Sequence, residues 1–563
     1  MTSHDTGARG RQHGTARRRW HLVVILTTLA LAGFVQAAPS ALADVFVPIS
    51  GAGSTWSQNA VDQWRRNVAQ YGLTVNFQGT GSSDGRNQFR NGTVDFAVSE
   101  IPYGLKDSGV IDQPPPRGYA YMPIVAGGTS FMYNLTIGGK RVTNLRLSGP
   151  VLAKIFTGVI TNWSDPAIAA DNPGLTLPAR KVVPVVRSDG SGSSAQFTLW
   201  MSKQHAALWN SYCAKAGRAI PCGQTSNYPV IPGSGFTAQS GSLGVAGYVA
   251  QPQDVGTITY VEYSYALNSG FPVAKLLNKA GYYAEPTAQN VAVGLLGAQI
   301  DKRPGPTYLT QILDGVFNNA DPRTYPMSSY SYMIIPTKVE SNFSLAKGKS
   351  LGSFANYFLC QGQQDAGVLG YSPLPMNLVQ AGMAEVKKVP GANPAAIDIR
   401  KCNNPTFSSD GRNTLALTAP QPSPCDKIGV TQCEKGTGGA AKQPTAVSAK
   451  AKASSPGQAS AAGPGAVATG GTALPRAPTV GGAAKPGASV QKAIDPITGQ
   501  VLAAGAPDAA SGGLSVQPVA LQYRSNKALG YGVLAVTLLL LVILGPAVVV
   551  GTLKRADAEV IRP

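Results

Sequence analysis

VVPVVRSDGSGSS, residues 182–194, is the stretch whose reading decides the fold. Its first five residues are apolar and mostly β-branched, which makes a short strand covered on both faces, as in a parallel sheet. Glycine and serine then turn the chain, and Phe197, Leu199 and Trp200 follow on a helical segment. Strand, Gly/Ser loop and helix recur at 53–56 and 79–86. GAGSTW (51–56) opens a helix predicted with Thr55 as its N-cap, with Trp56, Ala60, Val61, Trp64 and Val68 on one face, ending near Gly72. LTVNF (73–77) alternates like a strand, GTGSSDG (79–85) leads into a short helix carrying Phe89, and VDFAVS (94–99) is the next strand. The succession implies an α/β domain.

A Gly/Ser turn that opens a helix presents unpaired backbone N–H groups and hydroxyls at the positive end of the helix dipole, which suits an oxyanion. One such loop is also an ordinary turn; the recurrence is what points to a site. Each of the later two loops comes with charge. Glu100 follows the strand after Ser82 and Ser83, and Arg187 and Asp189 flank the third turn. Arginine offers a planar fork of donors to tetrahedral oxyanions, and a neighbouring aspartate holds the fork in place. No G-x-x-x-x-G-K-[ST] run occurs, so a nucleoside triphosphate is not indicated. The four histidines are 4, 13, 21 and 205, and the first three fall in the N-terminal leader described next. A single remaining histidine, expected on the surface, argues against histidine-based zinc or a Ser–His–Asp centre. No enzyme activity, metal or cofactor is expected.

The 563-residue chain carries a formal +19, spread thinly except for the leading arginines, which is not the clustered footprint of a nucleic-acid binder. Arg17–Arg19, an apolar run from Leu22 to about Val35 and Ala41-Leu42-Ala43 read as a secretory signal, residues 1–43. Ala528 to Leu553 holds no charge; at ~1.5 Å per residue it reaches roughly 39 Å, enough to span a membrane. A buried core helix is the other reading, but only the tail 554–563 follows it. The body is therefore expected outside the cytoplasmic membrane, held by one C-terminal span. Cys213, Cys222, Cys360, Cys402, Cys425 and Cys433 all fall in the exported part, where an even count favours disulfides. Closing the shortest loops gives 213–222 and 425–433 and leaves 360–402. From 431 to 527 the chain is rich in Ala, Gly, Pro and Ser, with no aromatic residue between Phe407 and Tyr523, so it is expected as a disordered tether with a reach of roughly 50 Å.

Several stretches together resemble one family. GAGSTW (51–56), VNFQGTGSSDGRNQFRNGTVDFAVSE (75–100), FTGVITNWSDPAIAADNPGLTLP (156–178), VVRSDGSGSSAQFTLWMSK (185–203), ITYVEYSYA (258–266) and YPMSSYSYMIIP (325–336) are similar, in order and spacing, to the phosphate-binding protein of bacterial phosphate-specific ABC transporters. RSDGSGSS is the most specific piece; the tether and span lie outside the resemblance. It implies a two-lobed periplasmic-binding fold (a Venus flytrap) with the anion between the lobes. The first lobe would comprise 44–122 and 323–430, the second 123–322, with crossings near Pro123 and Tyr325. By the same resemblance Thr55, Trp56, Ser82, Glu100, Arg187, Ser191, Gly192 and Ser193 would hold the anion, and Asp189 would orient Arg187. The chain departs from the family in three places: Glu100 stands where aspartate is usual, Trp56 where phenylalanine is, and Ser193 where threonine is.

Proton accounting gives Glu100 a role. Phosphate near neutral pH carries a donor O–H and sulfate carries none, so a fixed carboxylate pairs with the first and is left repelled and unsatisfied by the second. The expectation is a membrane-tethered phosphate receptor that delivers its anion to an ABC permease. The alternatives are a receptor for another tetrahedral oxyanion, or a cell-surface scaffold or adhesion protein on the same fold.

Overall fold

A computed structural model describes residues 46–446, apart from 108–109, 341, 394–401, 403 and 409. The expected signal (1–43), the expected span (528–553), the tail and most of the expected tether lie outside the described residues. Among the described residues, no helix is long and apolar enough to cross a membrane.

The first anticipated unit forms as β1 (Ile49–Gly53), α1 (Gln58–Ala69), β2 (Val75–Gly79), α2 (Ser82–Arg90) and β3 (Phe96–Ser99). Ala60, Val61, Trp64 and Val68 form the buried face of α1. That helix starts later than expected, with Ser57 at its N-cap, because residues 54–56 are used for other contacts. A long strand, β4 (Tyr119–Tyr133), follows. The decisive stretch forms β5 (Val183–Arg187) and α3 (Gly192–Gln204), followed by β6 (Thr237–Gln239), α4 (Gly241–Val249), β7 (Thr257–Glu262) and a second long strand, β8 (Ser328–Pro336).

These strands make one eight-stranded sheet in the order β6-β5-β7-β4-β8-β3-β1-β2. The strands β1, β2 and β3 run parallel, as do β5, β6 and β7, while β4 and β8 are antiparallel to their neighbours. The strand β4 belongs to both halves. Its residues 119–128 pair with β8 and residues 129–133 pair with β7, so the handover falls after Gly128 rather than near Pro123. Both Gly127 and Gly128 are needed there for space: a Cβ on Gly128 would lie 2.5 Å from Pro286, and one on Gly127 2.8 Å from the Trp56 ring.

Two segments differ from the sequence reading. The expected tether from 431 is packed through Ala446: Thr437 is fully buried, accepts from Val273 N at 3.1 Å and donates to Val273 O, and Ala446 N bonds Arg141 O at 2.9 Å. Small residues make this possible, because Gly438 and Gly439 lie against backbone where a side chain would collide. Residues 425–430, assigned by resemblance to the first lobe, pack on the second half. There Lys275 pairs with Asp426 at 2.7 Å, and Arg146 donates to the carbonyls of Cys425 and Val430. The three disulfides are 213–222, 360–402 and 425–433, as the loop argument proposes.

Candidate functional site

The loops that follow β1, β2, β3 and β5 converge where the two halves of the sheet meet, at the carboxyl ends of parallel strands where α/β proteins bind ligands. From the first half come Ser54–Trp56, the start of α2, and Glu100. The second half contributes Arg187, Asp189 and the start of α3.

Glu100 is almost completely buried (1% exposed). Ser54 Oγ lies 2.7 and 2.8 Å from its two carboxylate oxygens, Ser82 Oγ donates to Oε2 at 2.8 Å, and Ser331 Oγ donates to Oε1. Burial pushes the pKa of Glu100 up, and the hydroxyl bonds from Ser331, Ser54 and Ser82 oppose that shift. This placement puts the carboxylate on Ser82, the serine expected to face the anion. It also explains Gly192: a Cβ there would lie 1.8 Å from Glu100 Oε2.

Arg187 is the buried cation of the site (3% exposed). Its Nε donates to Asp189 Oδ1 at 2.7 Å, its Nη2 to Asp189 Oδ2, and its Nη1 to Ser242 Oγ at 3.3 Å. Burial alone would raise the Asp189 pKa, but the bonds and charge of Arg187 hold it below the usual carboxylate value. Asp189 thus pairs with the fork of Arg187, and it also accepts from Gly241 N at 2.9 Å. Ser191 caps α3 by accepting from Ser194 N at 3.2 Å, which leaves the first-turn amides, Gly192 among them, aimed outward. Ser193 Oγ is buried without a hydrogen-bond partner among the described residues. A buried hydroxyl without a partner next to an arginine fork and a helix N-terminus fits an oxyanion ligand.

Thr55 and Trp56 serve the join between the halves. Thr55 Oγ1 accepts from Ser242 N at 3.1 Å and its carbonyl accepts from Tyr265 Oη at 2.5 Å. The Trp56 amide donates to Ser54 Oγ at 3.0 Å, and its indole bonds Thr129. Further bonds join the halves, from Ser83 N to Gly190 O at 3.0 Å and from Gln196 Nε2 to Glu100 O at 2.8 Å. His205, expected on the surface, is half-buried against Trp200 at the junction of two helices. Sequence reasoning missed Ser54, Ser242 and Ser331. The signal for Ser331 was present, since Ser328, Ser329 and Ser331 are polar positions in a fully buried strand.

Two parallel-stranded halves joined by two long antiparallel strands, with polar loops facing one another at the join, define a periplasmic-binding type of protein. A family model described as "PBP superfamily domain" matches residues 10–361. The phosphate-binding protein PstS of Xylella fastidiosa is 33% identical over 344 residues, covering 61% of this chain and 85% of the relative. PstS of Pasteurella multocida is 29% identical over 375 residues (66% and 96%), and that of Methanocaldococcus jannaschii 29% over 392 (65% and 94%). The chain belongs to the PBP superfamily and, within it, to the family of these PstS proteins.

Proposed function

We propose that this protein binds inorganic phosphate between the two halves of its sheet and delivers it to an ABC permease for uptake. Its position is outside the cytoplasmic membrane, where the 528–553 segment anchors it after removal of residues 1–43. The observation that carries the reading is the opposition of a fixed cationic fork, Arg187 on Asp189, to a buried acceptor, Glu100. One side neutralises the anion and the other takes its O–H. Thr55, Trp56, Ser82, Ser191, Gly192 and Ser193 complete the ligand set in this proposal, with the Ser193 hydroxyl, which has no partner among the described residues, turned to the anion. The chemistry is binding alone. The curated relatives are named for phosphate, which supports this anion over another oxyanion, and nothing in the site favours a scaffold or adhesion role.

Calorimetry with phosphate, arsenate and sulfate on the wild type, Arg187→Ala and Glu100→Gln tests the proposal. Arg187→Ala removes a charge-assisted contact and should weaken phosphate by roughly thirty- to a hundredfold. Glu100→Gln replaces an acceptor with an amide that donates, so the phosphate-to-sulfate ratio should fall. A wild type that binds no phosphate at millimolar concentration would end the transport reading.

A further inference from the structure

Ser331 lies far along the sequence from every loop that carries the anion motifs. It sits on β8, in the segment 328–331 that pairs with residues 125–128 of β4, just before β4 passes from one half to the other. The register between the two strands shifts at Ser331/Tyr332, which pair with Val125 and Pro123, so β4 carries one extra residue, Ile124, opposite Ser331. The Ser331 hydroxyl donates to Glu100 Oε1 and lies 3.3 Å from Ser57 Oγ, and both Ser331 and Glu100 are buried. Ser54 donates from the loop after β1 and Ser82 from the start of α2, while Gly192 closes the remaining side. Tyr330 and Tyr332 are the titratable neighbours on the same strand; the Tyr332 phenol accepts from Gln311 N at 2.7 Å, and the buried Tyr330 phenol has no hydrogen-bond partner among the described residues. Among the described residues no cation bonds Glu100, so neutral donors hold its carboxylate: the hydroxyls of Ser54, Ser82 and Ser331 and its own backbone N–H.

We propose that Ser331, set opposite the irregularity in β4, is a positioning residue that keeps Glu100 an obligate hydrogen-bond acceptor and so fixes selectivity for anions that carry a proton. The inference rests on the phosphate-receptor reading. A buried carboxylate without a cation stays ionised only while hydroxyl donors stabilise its charge. Removing one donor shifts it towards the acid form, and an acid donates. It can then serve sulfate as well as phosphate, so discrimination is lost without loss of the cationic fork. Ser331 touches Glu100 and not the ligand site directly, so its removal should change the ranking of anions more than the affinity for phosphate. Because β8 pairs with β4 up to Gly128, the same bond ties the acceptor to the neighbour of the strand that passes between the halves.

The test is titration of the full-length protein with phosphate and with sulfate from pH 5 to 9, for the wild type, Ser331→Ala and Ser331→Thr, with melting curves as a control on folding. Ser331→Ala should lower the phosphate-to-sulfate affinity ratio at pH 7 by tenfold or more, and the ratio should recover as the pH is raised and Glu100 ionises. Ser331→Thr, which retains a hydroxyl, should hold the ratio near that of the wild type. A ratio and pH profile unchanged in Ser331→Ala would overturn the proposal while leaving the receptor intact; failure of the wild type to bind phosphate would overturn the receptor reading itself. If Ser331→Ala melts early, Ser54→Ala removes a second donor from the same carboxylate and must reproduce the shift in ratio, or the proposal falls.

Discussion

Glu262 ends β7 opposite Thr129, at the point where β4 passes between the halves. It is fully buried, its Oε2 accepts from Ser264 N at 2.8 Å, and its Oε1 has no hydrogen-bond partner among the described residues. Burial holds its pKa well above the ordinary value, with the Ser264 bonds opposing. A raised carboxyl pKa means that folding favours the protonated form. Its full contribution is present below the unfolded pKa near 4.5 and is lost as the pH climbs towards the folded pKa. Glu262→Gln should therefore melt above the wild type at neutral pH, the gap opening from about pH 4.5 at up to roughly 1.4 kcal/mol per pH unit. Melting curves at pH 4, 5.5 and 7 check this; a gap that narrows with rising pH contradicts it. Glu100 shares the sign in the wild type, so only the difference between the two proteins isolates Glu262.

The strands and the helices that follow them are held by close approach. Within α2, a Cβ on Gly85 would sit 2.3 Å from Gly53 Cα and 2.6 Å from Ala52 O, both backbone atoms of β1. Neither can yield as a flexible side chain would. Gly85→Ala should destabilise the fold by roughly 1–3 kcal/mol, seen as a lower urea midpoint at unchanged slope. At this scale the sequence was most legible. The apolar run before Arg187 and the Gly/Ser turn after it marked β5, the site loop and α3 together, because a strand, an orphan helix end and an oxyanion site are all local features. Thr55 was misread for a local reason too: it looks like a cap, yet its hydroxyl is used by Ser242, nearly two hundred residues on. The partners of Ser54, Ser242 and Ser331 were hidden for the same cause. A serine announces a possible donor, but only the sheet order brings β8 and α4 to the loops after β1 and β3.

Across the whole molecule, composition misled in one region. Glycine- and alanine-rich sequence after 431 reads as a tether, yet through Ala446 its small residues let the chain lie against the second half. A fragment ending at 430 should therefore be less stable than one ending at 446. It loses the buried Thr437 bonds and the 425–433 disulfide, and closure of a loop that short contributes roughly 2–3 kcal/mol. Paired thermal melts of the two fragments measure the difference, and equal stability would show that the packing contributes nothing. The disulfides were predictable because short loops between cysteines are the least costly to close.

The packed C-terminal segment also determines how the protein meets a pulling force. A load applied at the C-terminus enters the described fold at Ala446, beside Arg141. It would first strip the bonds at Ala446 and Thr437, one after another rather than in parallel, and would then arrive at Cys433, which is covalently closed onto Cys425. Beyond that clamp the Lys275–Asp426 pair and the carbonyls held by Arg146 bind the chain to the second half of the sheet. The segment thus acts as a strain relief, giving way by small steps at its outer end before the join between the halves, and the site built on it, is disturbed.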